Sequence, residues 1–254
     1  MESLIKSGLA IWTLIFLSFS AHAQTPDLIT RLKEAGFKCE PVWKKETDPV
    51  SGHICEISRV STKDFYYGQP IALMIPKDVT SPSQLVLHLH GHRDVCGQRG
   101  ASPHALIQKS GLMNQVHSPV VKDSITILPV SQGKGETYKE QLVPKFGKFV
   151  QWIEEITGAK SDAEWVIMGH GGAYEPIGEI LERQASNPSF IKRVKGVGLL
   201  NAAYSKLPSY RAKLKKAVAA NSSLKIHDRQ LIYGLQAGPH QSFAAQKLSK
   251  RRFW

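Results

Sequence analysis

From residue 84 onward, short runs of valine, isoleucine and leucine alternate with segments of helical period. The runs at 84–90, 124–130, 164–168, 194–200 and 230–235 are too short for helices and are bounded by glycine, proline, serine or asparagine. Continuous apolar runs of that length predict strands buried on both faces. Between them 103–109, 143–157, 174–184 and 206–220 predict helices, and 243–251 predicts a terminal one. Strands separated by helices imply an α/β fold, with a mostly parallel central sheet and helices on both faces.

The pattern before residue 84 is different. Thr25-Pro26-Asp27 reads as a helix start, with a capping residue, proline in the first turn and an acid at the positive end, and Gly36 closes that helix. Residues 37–43 and 53–60 then predict a hairpin, and 71–75 is an apolar run ended by Pro76. The hairpin adds an antiparallel N-terminal edge to the sheet.

Residues 1–23 predict a signal peptide rather than part of the fold. Lys6 supplies positive charge, 9–19 is an apolar run short for a membrane span, and Ala21-His22-Ala23 is a small-x-small cleavage site before Gln24. Cleavage there leaves no transmembrane anchor, and no cysteine stands at the cleavage point to carry a lipid. The expected location is secreted or periplasmic. Residues 24–254, about 230 in number, suffice for one α/β domain, and no repeat or long linker divides them.

Three cysteines fit an exported chain with one disulfide. Cys39 and Cys55 flank the turn-rich stretch 47–52, so a hairpin brings them within bridging distance; Cys96 is then left over, and a bridge from Cys96 to one of the others is the alternative. The net charge of +12 barely changes on losing the signal, because Glu2 and Lys6 cancel. For an exported protein this favours anionic envelope polymers or acidic lipid head groups as partners. The basic stretches at 213–216 and 247–252 carry no interleaved aromatics, so nucleic acid is not implied.

In open α/β sheets ligands bind beyond the carboxyl ends of the strands, which singles out five loops. They begin with His90-Gly91-His92, Ser131-Gln132-Gly133, Gly169-His170-Gly171-Gly172, Asn201-Ala202-Ala203-Tyr204 and Gly238-Pro239-His240. From about residue 66 onward the chain resembles the α/β-hydrolase superfamily, in its exported esterase-like and peptidase-like members. The resemblance rests on 71–76 followed by Leu85-Val86-Leu87-His88-Leu89-His90-Gly91, on the strand-to-helix elbow at 169–173, and on a late histidine before the last predicted helix.

That resemblance implies an oxyanion pocket lined by the backbone at Gly91 and His92, with a second donor from Gly172 and with His170 and Ser131 beside it. It places Gly171 at the nucleophile position, His240 at the general base and Asn201 at the acid, with Asp228 as another source of the acid. Gly171 has no side chain to attack with, and a neutral Asn201 cannot stabilise an imidazolium as a carboxylate does. Ser131 and Cys96 are the other nucleophile-type side chains near these loops, and neither sits on an elbow. The expectation is therefore a pseudoenzyme: a hydrolase scaffold that binds an ester, peptide or cell-wall-derived ligand without a cofactor. The alternatives are an active esterase or peptidase of which this chain is an inactivated variant, and a metal-dependent hydrolase using His88, His90 and His92, which with Asp94 form a His-x-His-x-His-x-Asp run.

Overall fold

The computed structural model describes residues 27–42, 51–61, 63–91, 107, 123–131, 137–200, 207–231 and 248–251. The expected signal peptide and Cys96 lie outside the described residues. The first element, α1 (Leu28–Glu34), is capped by Asp27, whose carboxylate accepts the Thr30 N–H at 3.0 Å. That bond, with the Thr30 hydroxyl, holds the Asp27 carboxyl below its ordinary pKa. Three antiparallel strands follow: β1 (Lys38–Val42), β2 (Gly52–Ile57) and β3 (Ile71–Pro76).

Cys39 faces Cys55 in the β1–β2 register, and the two are joined in a disulfide. The bridge closes a loop with a sequence separation of 16. A loop of that size restricts the unfolded chain enough to add about 3 kcal/mol. Reduction, or replacement of both cysteines by alanine, is expected to lower unfolding stability by about that much in urea titrations. A change below about 0.5 kcal/mol would show that the hairpin is ordered without it.

The rest of the sheet is built from β4 (Gln84–Leu89), β5 (Ser124–Pro129), β6 (Glu164–His170), β7 (Val194–Leu200), β8 (Lys225–Leu231) and β9 (Leu248–Arg251). The strand order is β1-β2-β3-β5-β4-β6-β7-β8-β9. Pairings among β5, β4, β6, β7 and β8 are all parallel; β3 runs antiparallel to β5, and β9 antiparallel to β8. This is the mostly parallel sheet with an antiparallel N-terminal edge that the sequence implied. Every residue of β3 and β5 is buried, as their unbroken apolar runs require.

One face carries α1, α2 (Phe146–Thr157), α3 (Tyr174–Gln184), the short α4 (Pro188–Ile191) and α5 (Leu207–Ala220). Their apolar stripes meet Trp165 and Ile167 of β6, Leu85 and Leu87 of β4 and Val197 and Leu199 of β7 in a single core. Trp165 lies among Phe146 and Phe190, with ring centroids 6.5 and 5.7 Å away. The opposite face has a smaller cluster that includes Ile107, the one described residue of the predicted helix at 103–109. α2 begins at Phe146 rather than 143 because Pro144 interrupts; a wide π-type turn, Tyr138–Leu142, precedes it.

Two expectations at the C-terminal side are corrected. The strand placed at 230–235 begins at Lys225, where parallel backbone pairing with Gly196 starts, although its side chains are largely polar. The predicted terminal helix at 243–251 is instead strand β9 over its last residues, which pairs with β8 and supplies ladder partners to an otherwise open edge. Among the described residues no helix is long and apolar enough to cross a membrane.

His53 of β2 is half-buried, and that burial, aided by the nearby Lys33 ammonium, holds its imidazole below the ordinary pKa of 6.5. The folded state thus binds this proton less readily than the unfolded chain. Stability is fully present above about pH 6.5 and falls as pH drops toward the folded pKa. The melting temperature is expected to decline across that window, with a shallower decline in His53→Gln; identical slopes in the two proteins would remove His53 as the cause.

Candidate functional site

The strand order changes direction between β4 and β6. β5 follows β4 on one side, while β6, β7 and β8 follow on the other. In open α/β sheets such a reversal of strand order is where a ligand crevice opens, beyond the carboxyl ends of the two strands, here β4 and β6.

β6 runs without interruption into a tight turn, Gly171–Ala173, and then into α3. His170 is still extended, with φ −117° and ψ 143°, whereas Gly171 has φ +55°. An L side chain there would cost about 1–2 kcal/mol, so glycine relieves the strain of the turn. Gly169 has a different reason to be glycine. A Cβ at 169 would lie 2.9 Å from the Ala173 Cβ and would run into Ile177, because α3 crosses directly over this point.

Gly91, just past the end of β4, meets the same turn from the other side. A Cβ there would stand 2.7 Å from the His170 carbonyl oxygen and 3.3 Å from the Gly171 Cα. Backbone meets backbone at the mouth of the crevice. Gly91→Ala is expected to force the two segments apart and lower stability by about 1–2 kcal/mol. Gly196→Ala, whose new methyl would meet nothing closer than 3.6 Å, is the control. Equal melting temperatures for the two variants would show that the contact at Gly91 yields without cost.

His90 fixes this arrangement. It is buried, its Nε2 accepts the Ser131 N–H at 2.9 Å, and its Nδ1 lies 3.0 Å from the Gly91 carbonyl oxygen. Since Nε2 is an acceptor, the proton sits on Nδ1 and is donated to Gly91, which defines a neutral imidazole. The ring lies 5.3 Å from that of Tyr138, whose hydroxyl donates to the Pro129 carbonyl at 2.7 Å. Tyr138 in turn stacks on Tyr66 at 6.1 Å, a buried residue held at φ +43°. A strained bulky residue persists only where its surroundings over-determine it, and here it braces the histidine that ties the ends of β4 and β5 together.

Of the residues singled out in the sequence, Gly91, His170, Gly171 and Gly172 converge on the crevice, and Ser131 joins them through His90. His92, Asn201 and His240 lie outside the described residues. Asp228 stands within β8, opposite Leu199, rather than in a loop beyond a strand end. His88 is buried in β4, opposite Met168 of β6. Both ring nitrogens of His90 are occupied, so a cation bound there would have to displace the Ser131 or Gly91 bond; among the described residues no cluster of metal-ligating side chains forms.

Sequence reasoning passed over three contributors beside the turn. Lys139 of the π-type turn pairs with Glu175 in the first turn of α3, and the Tyr174 hydroxyl donates to the other Glu175 oxygen at 3.2 Å. They tie the segment after β5 to the helix that follows Gly171. The one signal for them was an acid in a helix's first turn, favourable there for electrostatic reasons alone.

No family model matches the chain, and no curated protein does. Among solved structures it is similar to a feruloyl esterase module from Clostridium thermocellum, at 11% identity over 75% of this chain and 71% of that one, with a TM-score of 0.47. It is similar to an S-formylglutathione hydrolase from Agrobacterium tumefaciens at 11% identity over 74% and 89% of the two chains, with a TM-score of 0.44. An arylesterase matches at 15% identity over 63% of this chain, with a TM-score of 0.39. Each is an esterase or a hydrolase. The chain spans about half the length of that arylesterase and of a bacterial brefeldin A esterase that it also matches.

Proposed function

We propose that this chain is an exported α/β-hydrolase-fold protein whose nucleophile position is occupied by Gly171, and that it uses the crevice to bind an ester, peptide or cell-wall-derived ligand. The observation that supports it is the turn itself. Gly171 stands at the end of a central parallel strand, in the left-handed region, at the start of a helix and against Gly91. That is where a strand-to-helix elbow presents its attacking side chain, next to backbone N–H groups from the turn and from the loop after the oxyanion strand.

In this reading the donors remain and the attacking atom is gone. The Gly91 and Gly172 segments receive the carbonyl oxygen of a bound acyl group, while the net charge of +12 favours ligands attached to anionic envelope polymers. Export is supported by the Cys39–Cys55 bridge, since disulfides persist in oxidising compartments.

The test is covalent. Purified protein incubated with a fluorophosphonate probe, which labels activated serines, is expected to remain unlabelled. Labelling that maps to any serine of the native chain overturns the reading.

A further inference from the structure

A second concavity lies at the opposite end of the sheet from the crevice. It is walled by α2 and by the segment leading from α4 into β7, beside Trp165 at the start of β6 and Arg193 just before β7. Its volume is about 180 Å³, and its walls include Gly147, Val150, Gln151, Glu154, Phe190 and Arg193.

Glu154 and Arg193 form its polar floor. Glu154 Oε1 accepts from Arg193 Nη1 at 2.6 Å and from Trp165 Nε1 at 2.9 Å, and Arg193 Nε donates to the Ser189 carbonyl at 3.3 Å. Among the described residues nothing bonds to Glu154 Oε2 or Arg193 Nη2, and both side chains keep about a fifth of their surface exposed, at 23% and 20%. The ion pair is thus held rigidly through one atom of each partner, with the second oxygen and second nitrogen left for something else. Val150 and Phe190, both buried in the core, reach the lining beside it with an edge of hydrocarbon each.

Gly147 is the independent sign that this space is kept open. It is the second residue of α2, it is not in the left-handed region, and a Cβ added to it would meet nothing within 4 Å. Neither conformation nor crowding calls for glycine there, although glycine weakens a helix relative to alanine. A side chain at 147 would project over the concavity.

We propose that this cleft binds a small zwitterionic molecule of the α-amino acid class, with an apolar side chain. Its carboxylate would meet Arg193 Nη2, its ammonium Glu154 Oε2, and its hydrocarbon part Val150 and Phe190. A ligand carrying both charges complements the dipolar floor without burying a net charge, which a simple anion or cation would do. The cleft is separate from the Gly171 crevice, so this inference does not depend on the function proposed for that site.

The experiment is a titration of the isotopically labelled protein with three probes of similar shape: L-leucine, 4-methylpentanoate, which lacks the ammonium, and 3-methylbutylamine, which lacks the carboxylate. L-leucine is expected to shift the backbone resonances of residues 147–154 and 189–193, and to bind at least about tenfold more tightly than either single-charge analogue. Gly147→Ala is expected to melt higher than the native protein, and Gly147→Leu to fold but lose leucine binding. Equal shifts from the three probes, no shift at tens of millimolar leucine, or undiminished binding by a folded Gly147→Leu would each overturn the proposal. The comparison of probes on the native protein decides even if Gly147→Leu fails to fold.

Discussion

Hydrolysis of an activated ester such as 4-nitrophenyl acetate by the purified protein is expected to run about 10⁶-fold slower than in an enzyme with an intact serine triad. On the function proposed above, Gly171 leaves the turn without a hydroxyl to bond to the acyl carbon, while the backbone donors beside it remain. Those donors alone leave about 10³–10⁴ over the reaction in water. No burst of nitrophenolate stoichiometric with protein should appear, because no acyl-enzyme can form at this position. A burst would mean that another side chain attacks, and the labelled peptide would identify it. Gly171→Ser gives the converse measurement. The serine must enter a residue with φ +55°, at a cost of about 1–2 kcal/mol. A folded variant with lowered melting temperature and new fluorophosphonate labelling would show that a working base stands beside the turn, the role that the family resemblance implies for His240.

Truncation of Trp165 to alanine is expected to cost about 3–5 kcal/mol of unfolding free energy, a large share of the total stability of a domain this size. Trp165 is fully buried at the start of the central strand β6, packed edge-on against Phe146 and tilted against Phe190. Alanine would leave a cavity between α2, α4 and the sheet, and would strip Glu154 of its indole partner. Urea unfolding followed by far-UV circular dichroism measures the loss. A change under about 1 kcal/mol would mean that Phe146 and Phe190 close over the gap. Trp165→Phe, which keeps most of the volume but not the N–H, separates packing from the hydrogen bond.

The central strands β3, β4 and β5 were legible because they are buried almost throughout, so their sequences have little room for anything but apolar residues. The strand ends, where ligand-binding loops are expected, were legible for the same reason, since they fall where those runs stop. Both corrections fall where that constraint weakens. β8 and β9 sit at the outer side of the sheet, where backbone pairing decides the structure and residues such as Lys225, Arg229 and Lys250 give no apolar pattern to read. The brace formed by Tyr66, Tyr138 and His90 was hidden for another reason: it joins residues far apart in the chain through ring stacking and one imidazole tautomer, neither of which leaves a periodic trace. Gly91 and Gly169 were visible as glycines, but only the approach of His170 and Ala173 shows why nothing larger fits.

The cross-strand bridge between Cys39 and Cys55 has a consequence for how copies of this protein behave together. β1 is the outermost strand of the sheet on its side, so among the described residues one of its flanks has no neighbouring strand. Stapled to β2, it cannot detach and insert into the sheet of a second molecule. Strand exchange and the dimers or fibres that grow from it should therefore be suppressed while the thiols are oxidised, and the time a nascent chain spends before oxidation is its period of greatest aggregation risk.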